Sequence, residues 1–236
     1  MPRKLDPIPL TLLALALVGG IVAGLVGTER TIWPLLILVV MLVLIGGAML
    51  AQRLRRRRAD LSEWAGRNGW RPVPVPDGPW RGSPPFTEPT GRASETLGRP
   101  YRGIPATSFT WSWNGDRRPG TRTTPVHERH VLTLDLPAEG PTVQLTPRLL
   151  ADGLDLLPEQ PTGDPDFDAA WHVGADGPVV IDDRLRSRLR RDDVGVQVLR
   201  VQGTTALSWT TGPTDVERIL PRVALLWAVA EQVSAR

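Results

Sequence analysis

Two long apolar runs lie near the beginning of the chain, one from Leu10 to Gly27 and one from Ile32 to Ala51. Neither run contains a charged residue, and at about 1.5 Å per residue a helix of either length would cross the hydrocarbon core of a bilayer. Only residues 28–31 separate the runs, too few for anything but a tight turn. The pattern therefore predicts transmembrane helix 1 at 10–27 and transmembrane helix 2 at 32–51, joined as an antiparallel hairpin.

Basic residues flank this hairpin on one side. Arg3 and Lys4 stand in the N-terminal flank 1–9, whereas the turn carries one arginine next to a glutamate. By the positive-inside rule, we expect a multi-pass protein of the cell (inner) membrane with both termini cytoplasmic. A cleaved signal peptide at residues 1–27 is the alternative, and it would still leave one anchor. Five arginines of the juxtamembrane segment 52–58 are expected to contact anionic lipid: Arg53, Arg55, Arg56, Arg57 and Arg58.

Small residues recur at four-residue spacing in the first apolar run, at Ala16, Gly20 and Gly24. Such a line lets two helix backbones approach closely in lipid. It predicts packing against the second helix of the same chain, with a homo-oligomer contact as the alternative. Neither run holds an ionisable residue, which argues against an ion or proton pathway between the helices.

The remainder of the chain, 59–236, predicts a single cytoplasmic α+β domain. Prolines and glycines crowd the connecting segment 71–96 and exclude a helix there. Beyond it, alternating apolar residues predict a mainly antiparallel sheet, which a C-terminal helix from Asp215 to about Ser234 closes. Thr214 and Glu217 predict a capping box for that helix. Strands are expected at 97–104, 106–113, 126–136, 142–147 and 167–173, with a further hairpin of 195–201 and 204–210 around Gln202-Gly203.

Charge and composition narrow the function classes. The formal net charge is +3, but the basic residues concentrate in the first 58 positions and leave a mildly acidic domain. A domain of that charge is a poor candidate for binding nucleic acid. The chain has no cysteine, which excludes disulfides, thiol catalysis and thiolate metal sites.

The domain resembles a family of uncharacterised actinobacterial membrane proteins that have two N-terminal helices and one cytoplasmic α+β domain. The resemblance extends over roughly 60–236. It implies a fold and carries no activity, cofactor or catalytic residue. It rests on the following residues: Asn68-Gly69-Trp70, Trp80-Arg81-Gly82, Pro85-Phe86, Leu97-Gly98, Gly103, Leu134 to Pro137, Leu145-Thr146-Pro147, Phe167-Asp168, Trp171 and Val173.

None of the candidate catalytic and metal sites in the sequence has the residues and the spacing that its chemistry requires. His127 and His130 are three positions apart and would point to opposite faces of a strand, so we expect a surface strand there and no shared metal. The aspartates from Asp164 to Asp168 begin like a calcium loop, but Ala169 and Ala175 occupy the positions of its glycine and glutamate. The sequence also lacks a phosphate-binding loop, a dinucleotide turn and a nucleophile elbow. We therefore predict no catalytic residue, metal or cofactor, and an enzyme only if its site is assembled from scattered residues.

One further helix, at about 182–190, carries a basic face. Arg184, Arg188 and Arg191 share this face, opposite Leu185 and Leu189, and they could lie on anionic lipid. The alternative is a solvated face whose charge neighbouring aspartates balance. Together these patterns favour a membrane-anchored, non-catalytic interaction or scaffold module with a protein partner. An anionic-lipid-sensing domain is the alternative function.

Overall fold

The computed structural model describes residues 32–78, 80–82, 85–88, 91–115, 126–152, 154, 156–191 and 196–234. The chain divides into two compact units, residues 1–59 and residues 60–236. The first predicted transmembrane run, 10–27, lies outside the described residues.

Helix α1 extends from Ile32 to Arg67 and contains the second predicted transmembrane run. All side chains from Val39 to Met49 are exposed, including Val43 at 68% and Leu44 at 65% of full exposure. Within the described ranges, no helix meets the length and apolarity expected of a membrane span. The transmembrane hairpin stays a prediction.

The second unit is built on one six-stranded antiparallel sheet. Its elements confirm the predicted α+β class and the C-terminal helix. They are β1 (Arg71–Pro72), β2 (Arg92–Tyr101), β3 (Ile104–Asn114), β4 (Val126–Pro147), a 3-10 turn (Arg148–Leu150), α2 (Pro165–Ala170), β5 (Trp171–Ala175), α3 (Asp183–Leu189), β6 (Val198–Thr211) and α4 (Val216–Ser234).

Strand β4 is the centre of the sheet. Its first half pairs with β3 and its second half with β5, while β6 pairs with β4 along both halves. The predicted hairpin around Gln202-Gly203 is therefore wrong, because 198–211 forms one continuous strand. Gly203, at φ +58°, lies opposite Gly140 where the register shifts, so this glycine serves a bulge and not a turn.

The segment predicted as a strand at 167–173 begins as a helix. Asp164 accepts a hydrogen bond from the Phe167 N–H at 3.0 Å, and Pro165 occupies the first helical turn, so a cap and a proline together start α2. The strand β5 follows only at Trp171. The local start signal therefore outweighed the apolar pattern that suggested a strand.

Both faces of the sheet are covered. Helix α4 packs on one face, where residues such as Leu132, Leu134, Ile219 and Leu226 are fully buried. The proline-rich connection covers the other face with Trp80, which is 0% exposed. The aromatic cluster there comprises Trp80, Phe86, Phe109, Trp111 and Trp209. The proline-rich segment therefore belongs to the core, because its Trp80 and Phe86 are buried against the sheet.

Candidate functional site

The sheet face under α4 is polar at one end. Thr110, His130 and Thr210 lie side by side on β3, β4 and β6. Two residues further along the strands, on the same face, Ser108 of β3 and Ser208 of β6 lie on either side of Leu132. Ser108, Thr110, His130 and Ser208 are at most 2% exposed. Buried polar side chains need partners, and α4 supplies the main one.

Arg222 projects from α4 into this polar end and is 1% exposed. Its Nε donates to Gln197 Oε1 at 2.9 Å, and its Nη2 donates to Ser208 Oγ at 2.9 Å and to the His130 carbonyl oxygen at 3.4 Å. Its Nη1 donates to His130 Nδ1 at 2.8 Å and to Thr210 Oγ1 at 3.4 Å. Five hydrogen bonds match the five N–H groups of a guanidinium, so no donor is left over for a ligand.

The ring of His130 is fixed in one tautomer by these contacts. Its Nδ1 accepts from Arg222 Nη1, a group that can only donate, so the ring proton belongs on Nε2. Nε2 therefore donates to Ser108 Oγ, 2.9 Å away. A nucleophilic serine needs the reverse arrangement, with a ring nitrogen that accepts the hydroxyl proton and an acid on the far side. The Ser108–His130 pair cannot activate a serine in this form.

Burial dominates the electrostatics of the network. It lowers the pKa of His130 well below its ordinary value, and the charge of Arg222 adds to the effect. It also lowers the pKa of Arg222 to about 9, although Asp215 partly opposes the shift. His130 is therefore neutral and Arg222 charged at neutral pH. The arrangement joins α4 to the sheet.

The sequence analysis did not consider Arg222, and it considered His130 only as a possible metal ligand. His130 was expected on a surface strand, and the structure corrects this because His130 is fully buried. A signal for Arg222 does exist, since it stands three positions after Ile219 and four before Leu226, on the buried stripe of the helix. Among the described residues, no group of three or more His, Asp or Glu side chains could hold a metal ion.

Helix α3 presents arginines in two directions. Asp182 caps its N-terminus by accepting from the Leu185 N–H at 2.7 Å, and the buried Leu185 and Leu189 fix the inner face. Arg186 and Arg190 point toward Asp164, with Arg190 Nη2 at 2.8 Å from the carboxylate. These two arginines therefore serve to join α3 to the start of α2.

The other three arginines of this region, Arg184, Arg188 and Arg191, line a groove between α3 and α4. Its volume is about 620 Å³, within the range of small-molecule sites. Tyr101 and Arg102 border it from the turn between β2 and β3, and Trp227 borders it from α4. The predicted basic face is thus one wall of an arginine groove, which we define by Tyr101, Arg102, Arg184, Arg188, Arg191 and Trp227.

Arg102 is held over an aromatic ring. Its guanidinium carbon lies 5.7 Å from the centre of Trp227, and the Tyr101 ring packs on the same indole at 6.3 Å between centroids. Asp182 and Glu231 are the carboxylates of the lining, against four arginines. The groove therefore combines an excess of positive charge with an aromatic wall, a combination suited to an anion attached to a flat or apolar group.

The remaining predicted contacts fall elsewhere. Arg53, Arg55, Arg56, Arg57 and Arg58 lie in α1, and of their side chains the structure describes only Arg56, which is exposed. Ala16, Gly20 and Gly24 lie outside the described residues. Arg102 was missed as a site residue, although Arg-Gly between two strands is a signal for a two-residue turn. The sequence pattern does not show which helix that turn would meet.

One solved structure, the mycobacterial trehalose monomycolate transport factor A, TtfA, is similar in fold. The TM-score is 0.51, the sequence identity is 12%, and the match covers 74% of this chain and 93% of that chain. No protein-family model matches the chain, and no curated protein matches it. The likeness concerns the fold.

Proposed function

We propose that this chain is a membrane-anchored, non-catalytic accessory module at the inner face of the cell membrane, where it holds a protein partner. The observation that carries the proposal is the row of exposed apolar side chains from Val39 to Met49, directly before the arginines of α1. Such a row favours burial in lipid, and the arginines favour the cytoplasmic headgroups. The run 10–27 would supply the second transmembrane helix.

Two considerations favour an accessory role over catalysis. Arg222 uses its donors on the buried groups around it, and the network leaves His130 in a tautomer that cannot serve as a base for Ser108. The similarity in fold to a transport factor also suits a module that assists another protein. This second argument is an analogy between folds and supplies no residue.

A second function, the sensing of anionic lipid, is favoured by the arginine groove alone. Four arginines around an aromatic wall would gain from contact with headgroups at the surface to which α1 tethers the domain. The two functions are compatible, since a lipid-bound domain can still hold a partner. They differ in the residues whose substitution should abolish binding: the apolar residues of α1 for the protein partner, and the arginines of the groove for the lipid.

Membrane insertion and orientation can be tested in one experiment. Because the chain has no cysteine, single cysteines can be placed at Thr28 in the predicted outer turn and at exposed Ser187 in α3. We expect a membrane-impermeant maleimide to label Thr28→Cys in intact cells and Ser187→Cys only after lysis. Labelling of Ser187→Cys in intact cells would contradict the orientation, and release of the protein by alkaline carbonate would contradict the anchor.

The partner is sought by crosslinking the full-length protein in its native membrane, followed by mass spectrometry. The matched control is the double variant Val43→Lys/Leu44→Lys, which would prevent stable insertion of α1. We expect one dominant partner with the unmodified protein and its loss with the control. Recovery of the same partner with both proteins would contradict a role for the anchor.

A further inference from the structure

We propose that the arginine groove binds a phosphate group carried by an anionic ligand, with Trp227 and Tyr101 packing against the part of the ligand next to the phosphate. The inference deepens the proposed function, on which its membrane arm rests. It names a site and a ligand chemistry, and it includes residues of the β2–β3 turn that the basic face of α3 does not contain.

The first argument is the direction of the charges. On α3, Arg186 and Arg190 point toward Asp164, on the side of the helix away from the groove. Arg184, Arg188 and Arg191 line the groove, and Arg102 joins them from a separate element. Three elements converge on one concave surface, which distinguishes a site from a solvated helix face. Planar guanidinium groups match the oxygens of phosphate, each with two parallel donors.

The second argument is the conformation of the β2–β3 turn. Tyr101 and Ile104 pair across it, and its two central residues have positive φ, with Arg102 at +50° and Gly103 at +83°. Such turns favour Asn-Gly, and an arginine at the first position costs free energy that an asparagine would largely avoid. The arginine brings a cation to the mouth of the groove, over Trp227.

The third argument is the composition of the groove wall. Trp227 is half-buried, and Leu185, Ala224 and Ala228 line the groove beside it. An apolar floor under a charged rim gains from a ligand that has both a phosphate and a less polar portion. A phospholipid headgroup with its glycerol has both parts, whereas a free phosphate has only the charged part.

The test uses full-length protein and reads the groove directly by hydrogen–deuterium exchange of peptides that cover 101–104 and 184–191. In the first arm, the protein in neutral detergent is titrated with inorganic phosphate and with glycerol phosphate. In the second arm, it is placed in nanodiscs of phosphatidylcholine with or without phosphatidylglycerol. We expect slower exchange in both peptides with glycerol phosphate or with phosphatidylglycerol.

Two double variants with the same loss of charge separate the groove from general electrostatics. Arg184→Gln/Arg188→Gln removes two groove arginines, and Arg71→Gln/Arg92→Gln removes two exposed arginines of β1 and β2 that do not line it. We expect binding roughly tenfold weaker in the first than in the second, the size of one lost charge-assisted contact or more. Arg102→Asn should weaken binding as well, while its backbone suits the turn.

The outcomes separate the sources of the phosphate. Protection by the soluble phosphates supports the site and identifies phosphate itself as sufficient, whereas protection by phosphatidylglycerol alone supports it and identifies the lipid. No protection in either arm, or equal loss in both double variants, would overturn the site. Crosslinks from these peptides to an acidic protein, without protection by phosphate, would also overturn it and assign the groove to that partner. Because the soluble arm needs no membrane, failure of the anchor and failure of the groove are distinguishable.

Discussion

Nδ1 of His130 accepts a hydrogen bond from Arg222 Nη1 across 2.8 Å, although the two residues are 92 positions apart in the chain. A donor that is charged at neutral pH opposes a proton on the ring nitrogen that it faces, so the contact holds the imidazole neutral. The pair therefore connects the sheet to α4 only while His130 lacks its second proton.

The first prediction is a loss of stability in mild acid. The pKa of His130 is lowered in the folded state, so the unfolded chain binds more protons between that pKa and the ordinary value of 6.5. The free energy of unfolding should therefore fall as the pH drops below about 6.5, by at most about 1.4 kcal/mol per pH unit. The measurement is chemical unfolding of the full-length protein between pH 7.5 and 5.5.

His127 provides the control for this prediction, because its side chain is exposed on the same strand. His127→Gln should keep the pH dependence of the unmodified protein, whereas His130→Gln should flatten it. An unchanged slope in His130→Gln would show that carboxylates, and not this imidazole, set the acid response.

The second prediction concerns Arg222→Met. The substitution leaves His130 Nδ1 without its hydrogen bond from Arg222, while Gln197 Oε1 and Ser208 Oγ keep only the bond between them, at 2.6 Å. We expect the free energy of unfolding to fall by about 2–4 kcal/mol, since each buried polar group left unpaired costs roughly 1–3 kcal/mol. Arg218→Met, at a half-exposed position one turn earlier, should change it by less than about 0.5 kcal/mol. Equal effects of the two substitutions would contradict a specific network.

The third prediction compares two glycines. A Cβ at Gly91 would overlap the Trp111 ring, whereas a Cβ at Gly66 in α1 would meet nothing within 4 Å. Gly91→Ala should lower the midpoint of thermal unfolding by crowding the aromatic cluster, at a cost of about 1–3 kcal/mol. Gly66→Ala should be neutral or stabilising by up to about 1 kcal/mol, because alanine favours helix. A stable Gly91→Ala would mean that the proline-rich connection is not packed on the sheet.

The fourth prediction tests the start of α3. Asp182→Ala removes the carboxylate that accepts from the Leu185 N–H, and it should lower the free energy of unfolding by about 1 kcal/mol. Ser187→Ala, on the exposed side of the same helix, should have no measurable effect. Far-ultraviolet circular dichroism together with urea unfolding would measure both, and a silent Asp182→Ala would show that packing alone holds α3.

Local sequence patterns predicted much of the fold. The alternating apolar residues predicted β3, and the position of Leu185 and Leu189 opposite the arginines predicted α3. The failures have physical causes. Thr214 was expected to cap α4, but its hydroxyl lies 2.8 Å from that of Thr110, and Asp215 accepts from the Glu217 N–H at 3.2 Å instead. The Thr214 side chain bonds to Thr110 of strand β3, and a local sequence pattern cannot predict a contact between residues so far apart in the chain.

The groove shows the same division between local and distant information. The basic face of α3 was visible in the spacing of Arg184, Arg188 and Arg191. Its opposite wall comes from a turn and a helix remote in sequence, and their meeting depends on how the sheet places them. Predicting Arg102 as part of the site would have required the order of the strands.

The length of β4 has a consequence for how the domain folds. One strand is the partner of β3, β5 and β6, and its contacts with β6 join segments far apart in the chain. Closing such large loops costs entropy before the strand pairing offsets that cost. Domains with sheets of this kind therefore fold in about milliseconds to seconds. Until β6 arrives, an entire edge of β4 offers unsatisfied hydrogen bonds to any other strand, so chaperone protection should matter most during that interval.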